Sequence, residues 1–563
     1  MRRTMAALVL TLLAGLMVLA VEPPVPGPVS VSKLTNAESV RRQLGLYASY
    51  PSVPTIGRVK VAILDSGFDR IDGKRPYLPK SAVVVEHYDP EFIKRHKLGE
   101  PDFQKPFVPG ESHGRLMAQI VWAASGNSPF GPQFYLLNAN GPTLFRRAVR
   151  YAIEQKVDVI LFSGTFEGAG NFDGRGPINI AVDEAIAAGI IWVNAAGNAG
   201  GTVYNGPVSI GEDGYLKLRA GTEPTALRFA NRLDENPVTV TLTWNDYKEV
   251  EDAGTDKDLD LIVEDWTGRV VGQSKLKQVL AEKALETGES KNPRERVVFP
   301  ELPAKPAGEE YRIRVKAMSG NFGPLDRLRI LVSAGRTAAI TDPESGKSIV
   351  PVEFLDATRS GEIYPPADHA GVLAVGDSLL QSAVGPTVDG RLKPDVVLGD
   401  SVARFSNGDE SLGSSNAAAY FAGVVAVLRA TEPSLTAGHL REWVRQLDRR
   451  KTSVDTSLRT AEDRRPEPVP LTPNQQRAIR YAGIALEQKK RSGEVSPEII
   501  VSNPGGSLVV TPRASAKTSQ FVPASSPTTT RASTEAARRE VLVHAPWSTP
   551  TPRELATLVR TGK

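Results

Sequence analysis

The 563-residue sequence contains no cysteine. Its absence excludes disulfide bonds, thiolate nucleophiles and cysteine-bound zinc. Histidine is scarce, with six residues in the whole chain, so few side chains are candidates for a general base near neutral pH. The formal net charge is only +4, which gives no reason to expect a nucleic-acid or membrane-surface partner. What remains is an ordinary soluble composition with room for more than one domain.

Long apolar runs are also rare, and the main one lies at the N-terminus. Two arginines precede an apolar stretch from about Met5 to Val21, which is short for a membrane span and has a small-residue cleavage pattern ending at Ala20. We interpret residues 1–20 as a secretory signal peptide and residues 21–36 as a linker. The alternative is an uncleaved membrane anchor. Cleavage would leave a secreted or periplasmic protein with no stable membrane span.

Two parts of the chain alternate between apolar strands and amphipathic helices. In residues 37–200 the run VAILDSG at 61–67 is a typical strand, and TLFRRAVRYAIEQK at 143–156 is a typical helix. Strands that are apolar throughout, separated by helices, indicate a doubly wound parallel sheet covered on both faces. The same alternation of apolar strands and helices returns in residues 349–450. We therefore predict one α/β domain in two pieces.

The intervening residues have a different pattern. Between residues 201 and 348, apolar and polar residues alternate along short segments that are separated by turn signals. This pattern predicts an antiparallel β-sandwich inserted into the α/β domain. Beyond the α/β domain, residues 451–563 contain a helix with good start signals, followed by Ser/Thr/Pro-rich sequence. We expect that tail to be mostly disordered.

Four polar residues lie at the ends of predicted core elements: Asp65, His113, Asn198 and Ser415. Functional groups of α/β domains gather beyond the carboxyl ends of the strands. Ser415 stands at the start of an alanine-rich helix, where free backbone N–H groups and the helix dipole favour a developing oxyanion. Taken singly, Asp-Ser-Gly and Gly-Asn are also plain turn signals. Taken together, the four residues point to nucleophilic catalysis by serine.

These residues lie in motifs that resemble those of the subtilases, the subtilisin-like serine peptidases. The matching segments are Asp65-Ser66-Gly67, His113-Gly114, Ala195-Ala196-Gly197-Asn198 and GSSNAAAYFAG at 413–423. The resemblance implies a peptidase that hydrolyses proteins or peptides and needs no cofactor. It implies that Asp65, His113 and Ser415 form a catalytic triad and that Asn198 holds the oxyanion. It also implies a substrate-binding set, which consists of Ser163, Gly164, Ala195, Ala196 and Gly197.

The sequence departs from the subtilase pattern at a few positions. Arg115 replaces a usual threonine, Ala419 replaces a usual proline, and Gly164 with Thr165 alters the substrate-strand motif. No departure removes a residue of the triad. They leave open a non-enzymatic alternative, a pseudoprotease that binds peptides or cell-envelope material. A lipase or esterase is disfavoured, because its nucleophile elbow needs a glycine where Ala417 stands.

One acidic stretch raises the question of a metal ion. The stretch contains seven carboxylates, namely Asp246, Glu249, Glu251, Asp252, Asp256, Asp258 and Asp260. Carboxylates this close together suit calcium, which takes six to eight oxygen ligands. A hydrated acidic loop explains the same pattern equally well. We therefore treat a structural calcium ion as one of two open interpretations and name no metal ligand.

Overall fold

The computed structural model describes residues 59–68, 81–126, 131–219, 226–234, 236–248, 253–335, 340–341, 348–399, 401–404, 410–446, 499–502 and 509–512. The predicted signal peptide and linker lie outside the described residues, as does most of the predicted tail. Within the described part of the chain, no helix is both long and apolar enough to cross a bilayer.

The first part of the α/β domain alternates between strands and helices as predicted. Five strands and four helices follow one another: β1 (Lys60–Asp65), β2 (Val83–Val85), α1 (Pro90–His96), α2 (His113–Ala124), β3 (Gln133–Asn138), α3 (Pro142–Glu154), β4 (Val159–Phe162), α4 (Pro177–Ala187) and β5 (Ile191–Ala195). The sequence analysis did not predict β2 or α1, which are only three and seven residues long.

The chain then enters two antiparallel sheets. Their strands are β6 (Val203–Pro207), β7 (Leu227–Asn231), β8 (Val238–Trp244), β9 (Leu259–Glu264), β10 (Val270–Ser274), β11 (Arg294–Phe299), β12 (Tyr311–Ala317) and β13 (Arg327–Ala334), with helix α5 (Ala281–Thr287) before β11. A separate pair, β14 (Ile340–Thr341) and β15 (Ser348–Ile349), precedes β16 (Val352–Phe354). The sheet orders are β10-β9-β12-β7-β16 and β11-β8-β13-β6.

The second part of the α/β domain completes the parallel sheet. Its elements are β17 (Leu373–Asp377), β18 (Val396–Leu398), the short pair β19 (Ala403–Arg404) and β20 (Glu410–Ser411), helix α6 (Ser414–Thr431) and a helix at 437–446, α7. Further on, β21 (Ile499–Ser502) pairs with β22 (Val509–Pro512). The seven-stranded sheet has the order β18-β17-β5-β4-β1-β3-β2, and its neighbouring strands are parallel. The predicted doubly wound sheet and the additional antiparallel sheets are thus confirmed.

Alternate residues of each parallel strand face the two sides of the sheet. In β1, Val61 and Ile63 pack with helices α2 and α6, whereas Ala62 and Leu64 pack with α3 and α4. The strands are apolar throughout because helices cover both faces. Helix α6 lies in the larger of these two cores and is buried from Ser414 to Leu428. Its first turn lies at the carboxyl edge of the central strands, because Ser415 contacts the carbonyl of Ser163, the residue that follows β4.

The antiparallel sheets share a core of their own and also contact the α/β domain. The shared core contains residues such as Trp244, Phe229 and Tyr311. The four-stranded sheet also supplies Val203 and Leu331 to a smaller cluster, which Phe172 and Tyr364 complete. Strand β16 extends the five-stranded sheet to Phe354, beyond the boundary predicted at residue 348. With only three residues, β16 is too short to show the alternation from which a strand is predicted.

Candidate active site

The ends of three strands and the starts of two helices meet at one edge of the parallel sheet. Asp65 is the last residue of β1, and His113 is the first residue of α2. Asn198 follows β5 by three residues, and Ser415 is the second residue of α6. Parallel strands end at a common edge, so a doubly wound sheet gathers such residues there. The structure places the four predicted residues at this edge in two groups of contacts: Asp65 with His113, and Asn198 with the start of α6, where Ser415 lies.

The first group of contacts joins Asp65 to His113. The Nδ1 atom of His113 lies 2.7 Å from Oδ2 of Asp65. The second carboxylate oxygen, Oδ1, accepts the N–H groups of Ser66 at 2.8 Å and Gly67 at 3.3 Å. The Asp65 side chain is 6% exposed and that of His113 is 36% exposed. The carboxylate therefore fixes the orientation of the imidazole and leaves the other ring nitrogen available.

The surroundings of His113 favour its protonated form. Burial by itself would lower the pKa of His113, but the hydrogen bond to Asp65, the charge of Asp65 and the charge of Glu111 outweigh it and raise the pKa. Glu111 also contacts the helix directly, because its Oε1 accepts the backbone N–H of His113 at 2.8 Å. The two carboxylates together stabilise an imidazolium, the species that forms when a histidine acts as a base.

Gly114 allows α2 to begin close to β1. A Cβ atom at this position would lie 2.6 Å from Cβ of Asp65 and 2.6 Å from the ring of Phe68. The Gly114 N–H also donates to the carbonyl of Gly67 at 2.9 Å. A larger residue would push the helix away, because such contacts are far shorter than van der Waals distance. Close packing of α2 against β1 thus explains the glycine of the His-Gly sequence.

The Asn198 amide is held in one orientation by Ser414. Its Oδ1 accepts the backbone N–H of Ser414 at 3.0 Å and the Ser414 hydroxyl at 2.9 Å. The Ser414 Oγ in turn accepts the N–H of Gly197 at 3.1 Å. Two donors facing Oδ1 assign the oxygen and nitrogen of the amide. Nδ2 of Asn198 therefore lies on the other side of the amide, near Gly413, and has no acceptor among the described residues.

The start of α6 supplies a second donor. Among the described residues, no acceptor bonds the backbone N–H of Ser415, as expected for the second residue of a helix. Gly413 precedes the helix with φ +119°, in the region that favours glycine, and a Cβ there would lie 3.1 Å from Asn198 Nδ2. The glycine therefore lets the helix start approach the amide. Together the two N–H groups can hold an anionic oxygen.

The Ser415 hydroxyl has a partner other than the imidazole. Its Oγ donates to the backbone carbonyl of Ser163 at 3.0 Å, and the side chain is 9% exposed. Among the described residues, the Ser415 hydroxyl bonds to Ser163, and no hydrogen bond joins Ser415 to His113. Catalytic hydrogen bonds are often absent or long without substrate and form in the complex. Proton transfer to His113 would require Ser415 to turn away from Ser163.

The predicted substrate-binding residues lie along the ends of β4 and β5. The Ser163 carbonyl faces Ser415, and the Gly164 carbonyl accepts Nδ2 of Asn194 at 3.0 Å. Ala195 and Ala196 are buried in the core, and the Ala196 N–H donates to Val375. The Gly197 N–H donates to the Ser414 hydroxyl at the start of α6. Sequence reasoning identified the two strand ends but missed Asn194, Glu111 and Ser414, whose short polar or acidic side chains look like ordinary loop residues.

Where the structure describes the acidic stretch, some of its carboxylates form ion pairs with lysine side chains. Lys257 lies 3.2 Å from Asp246 and 2.7 Å from Asp326, and Lys248 lies 2.9 Å from Asp246. Burial and the neighbouring Asp260 raise the pKa of Asp258 to about 6. The described residues contain no group of three acids or histidines suited to a metal ion. Glu249, Glu251 and Asp252 lie outside the described residues.

A comparison with protein families identifies the first part of the α/β domain. Residues 57–214, which include Asp65, His113 and Asn198, match the subtilase family. This part of the chain is thus subtilisin-like, as its motifs predicted. No curated protein matches the chain in sequence.

Three solved structures are similar over most of the chain. The CspB protease of Clostridium perfringens is 16% identical, with a TM-score of 0.39, over 77% of this chain and 94% of that one. The nisin leader peptidase NisP of Lactococcus lactis is 13% identical, with a TM-score of 0.29, over 72% and 86%. The epidermin leader peptide processing serine protease EpiP of Staphylococcus aureus is 11% identical, with a TM-score of 0.27, over 72% of each chain. At these identities and TM-scores, none of the three indicates a substrate for this chain.

Proposed function

We propose that the chain is a serine endopeptidase that hydrolyses peptide bonds in proteins or peptides. The observation that carries the proposal is the 2.7 Å contact between Asp65 and His113 beside a helix start that presents Ser415 and the Asn198 amide. In this proposal Ser415 is the nucleophile, His113 the general base and Asp65 the group that orients the base. The subtilase match over residues 57–214, which include Asp65 and His113 but not Ser415, supports the roles of the base and of its orienting group.

The proposed reaction follows from the positions of these groups. Ser415 Oγ attacks the carbonyl carbon of the scissile peptide, and its proton passes to Nε2 of His113. The negative charge that develops on the carbonyl oxygen is held by the Ser415 N–H and by Nδ2 of Asn198. His113 then gives the proton to the departing amine. In the second half of the reaction, water attacks the acyl carbon while His113 takes its proton, and His113 returns that proton to Ser415 Oγ as the acid product leaves.

Substrate would also free the nucleophile from its present partner. The Ser163 carbonyl accepts the Ser415 hydroxyl in the free protein. A peptide laid along the end of β4 can donate its own backbone N–H to that carbonyl, in the manner of an added strand. The hydroxyl would then turn to His113. Binding of the correct backbone and activation of the serine would in this way occur together.

A proteolysis assay tests the proposal. The wild-type chain should cleave an unfolded protein such as casein, and Ser415→Ala and His113→Ala should each lose nearly all activity. The double variant should lose little more, because the triad acts as a unit. Asn198→Ala should retain a reactive serine but turn over roughly a hundredfold more slowly, as a subtilisin does when its oxyanion amide is removed. Equal activity of the wild type and Ser415→Ala would contradict the proposal.

Export of the protein belongs to the same proposal. We place the mature chain outside the cytoplasm on the basis of the predicted signal peptide over residues 1–20. Protein purified from the medium or periplasm for the assay should therefore begin near Val21 when its N-terminus is sequenced. Recovery only from membranes, with Met1 intact, would contradict export.

A second candidate function is a peptide-binding pseudoprotease. The observation that favours it is the hydrogen bond of Ser415 to Ser163 in place of His113. A pseudoprotease would bind unfolded protein without cleaving it, and Ser415→Ala would bind as the wild type does. Cleavage of casein by the wild type excludes this candidate.

A further inference from the structure

The geometry of the site fixes where the residue that carries the attacked carbonyl must lie. Its carbonyl carbon must reach Ser415 Oγ, and its oxygen must point to Nδ2 of Asn198. Its backbone lies beside the Ser163 carbonyl, which is the acceptor nearest the nucleophile. The side chain of this residue must therefore enter the space between the end of β4 and the end of β5. This reasoning rests on the proposed function.

Side chains close that space from both strands. Asn194 bridges the two strand ends, because its Nδ2 donates to the carbonyl of Gly164, beyond the end of β4, at 3.0 Å. The Asn194 amide is itself fixed by Trp192, whose Nε1 donates to Oδ1 at 3.1 Å. The ring of Phe162 lies under Gly164, only 2.9 Å from where a Cβ on that glycine would be. Asn194, Trp192 and Phe162 therefore hold the ends of the two strands close together.

Thr165 lies against the end of β5. Its Cγ2 lies 3.4 Å, and its Oγ1 3.7 Å, from the position of a Cβ on Gly197. Gly197 is held in place by its N–H bond to Ser414 and by its carbonyl, which accepts the N–H of Ala383 at 2.9 Å. The Thr165 side chain thus reaches across from the β4 end to the β5 end, close to van der Waals contact with Gly197. This contact leaves little room for a substrate side chain between the two strand ends.

We propose that Thr165 restricts the residue before the scissile bond to glycine, alanine or serine. A large aromatic side chain there would meet Thr165 on one side and the Gly197 backbone on the other. Packed walls discriminate by size, since even one methylene group changes the specificity of a well-formed pocket tenfold or more. Thr165 is therefore a specificity-determining residue of the site. The chain would cut after small residues and reject phenylalanine.

Peptides that differ only at this residue test the inference. For internally quenched peptides with alanine or phenylalanine before the bond, the wild type should show a kcat/KM ratio of roughly 100 in favour of alanine. Thr165→Gly should lower that ratio at least tenfold by admitting phenylalanine. Thr165→Val, which keeps the volume and removes the hydroxyl, should retain the wild-type ratio. A wild-type ratio near one, or a ratio unchanged in Thr165→Gly, would overturn the inference.

A binding measurement separates this inference from the proposed catalysis. Product peptides that end in alanine or phenylalanine are titrated into Ser415→Ala and into Ser415→Ala with Thr165→Gly. The first variant should prefer the alanine peptide, and the second should lose that preference, whether or not the wild type cleaves peptide bonds. Equal affinity of Ser415→Ala for the two peptides would overturn the size restriction even if casein is cleaved. A clear preference without cleavage would uphold it while the endopeptidase proposal fails.

Discussion

The two oxygens of Asp65 have different partners, and this explains why its motif is ambiguous in the sequence. Oδ1 accepts the N–H groups of Ser66 and Gly67, as a turn-forming aspartate does. Oδ2 contacts His113. A turn role and the proposed catalytic role of Asp65 are therefore compatible, because the turn holds the carboxylate in an orientation in which it contacts the imidazole.

Glu111 is a residue that only the structure identifies as part of this arrangement. Its carboxylate accepts the His113 N–H and raises the pKa of the imidazole, after the larger effects of burial and Asp65. A general base works only when it is unprotonated, so with His113 in the proposed role activity should be lost as the pH falls through its pKa. Glu111→Gln keeps an acceptor oxygen but removes the charge, and the acidic limb of the pH profile of kcat/KM should move to lower pH.

The control for this prediction is Glu353→Gln, which removes an exposed carboxylate of β16. Its pH profile should coincide with that of the wild type. If the acidic limb of Glu111→Gln also coincides with that of the wild type, the charge of Glu111 has no influence on His113.

At the scale of elements, the buried strands could be predicted from their continuous apolar runs, and the helices between them from their periodicity. The prediction failed for β2 and β16, which have three residues each and no periodicity to recognise. It also could not foresee the hydrogen bond between Ser415 and Ser163, because a serine rotamer depends on which acceptors the fold brings within reach.

The segment that follows β4 is supported by a loop of the antiparallel sheets. The Tyr247 hydroxyl donates to the Gly168 carbonyl, and the Tyr247 N–H donates to Oδ1 of Asn171 at 2.8 Å. Burial raises the pKa of Tyr247 to about 12. Arg294 of β11 covers Gly168, since a Cβ on this glycine would lie 2.6 Å from Cδ of the arginine. The antiparallel sheets therefore help to position the segment along which substrate is proposed to bind.

Tyr247→Phe should weaken substrate binding more than chemistry. It removes one hydrogen bond from a carbonyl of this segment, and a typical bond of this kind contributes about 1 kcal/mol. We expect KM for a peptide substrate to rise a few-fold with kcat nearly unchanged. Tyr311→Phe is the matched control, because its hydroxyl also donates to a backbone carbonyl, that of Pro303, which lies between β11 and β12 and not in the segment after β4. Equal KM values for the two variants would contradict the positioning role.

At the scale of the whole molecule, the antiparallel sheets are joined to the α/β domain by a buried cation. Arg329 of β13 is fully buried, and its guanidinium lies 4.0 Å from the ring centre of Phe172 and 5.0 Å from that of Tyr364. It also donates to the Ile363 carbonyl. Burial lowers its pKa to about 10, and the flanking rings offset part of the cost of desolvation.

The contact between the antiparallel sheets and the α/β domain could be predicted only in part. Alternating apolar residues between 201 and 348 indicated a sandwich, and the return of the α/β pattern indicated that it is inserted. The surface through which the antiparallel sheets contact the α/β domain could not be predicted, because an arginine in a strand, such as Arg329, is expected to face solvent. The positions of Asp65, His113, Asn198 and Ser415 at element ends followed from the sequence. Their distances depend on the packing of α2 and α6 against the sheet.

The central claim is that Ser415 is an activated nucleophile, and a fluorophosphonate probe tests it most directly. Such a probe reacts with a serine only where a base removes its proton and an oxyanion site holds the product. The folded wild-type chain should take up one probe molecule, and mass spectrometry of the digested protein should place it on Ser415. Ser415→Ala should take up none, and His113→Ala should react far more slowly. A folded wild-type chain that remains unlabelled, under conditions in which a known subtilase is fully labelled, would contradict the account.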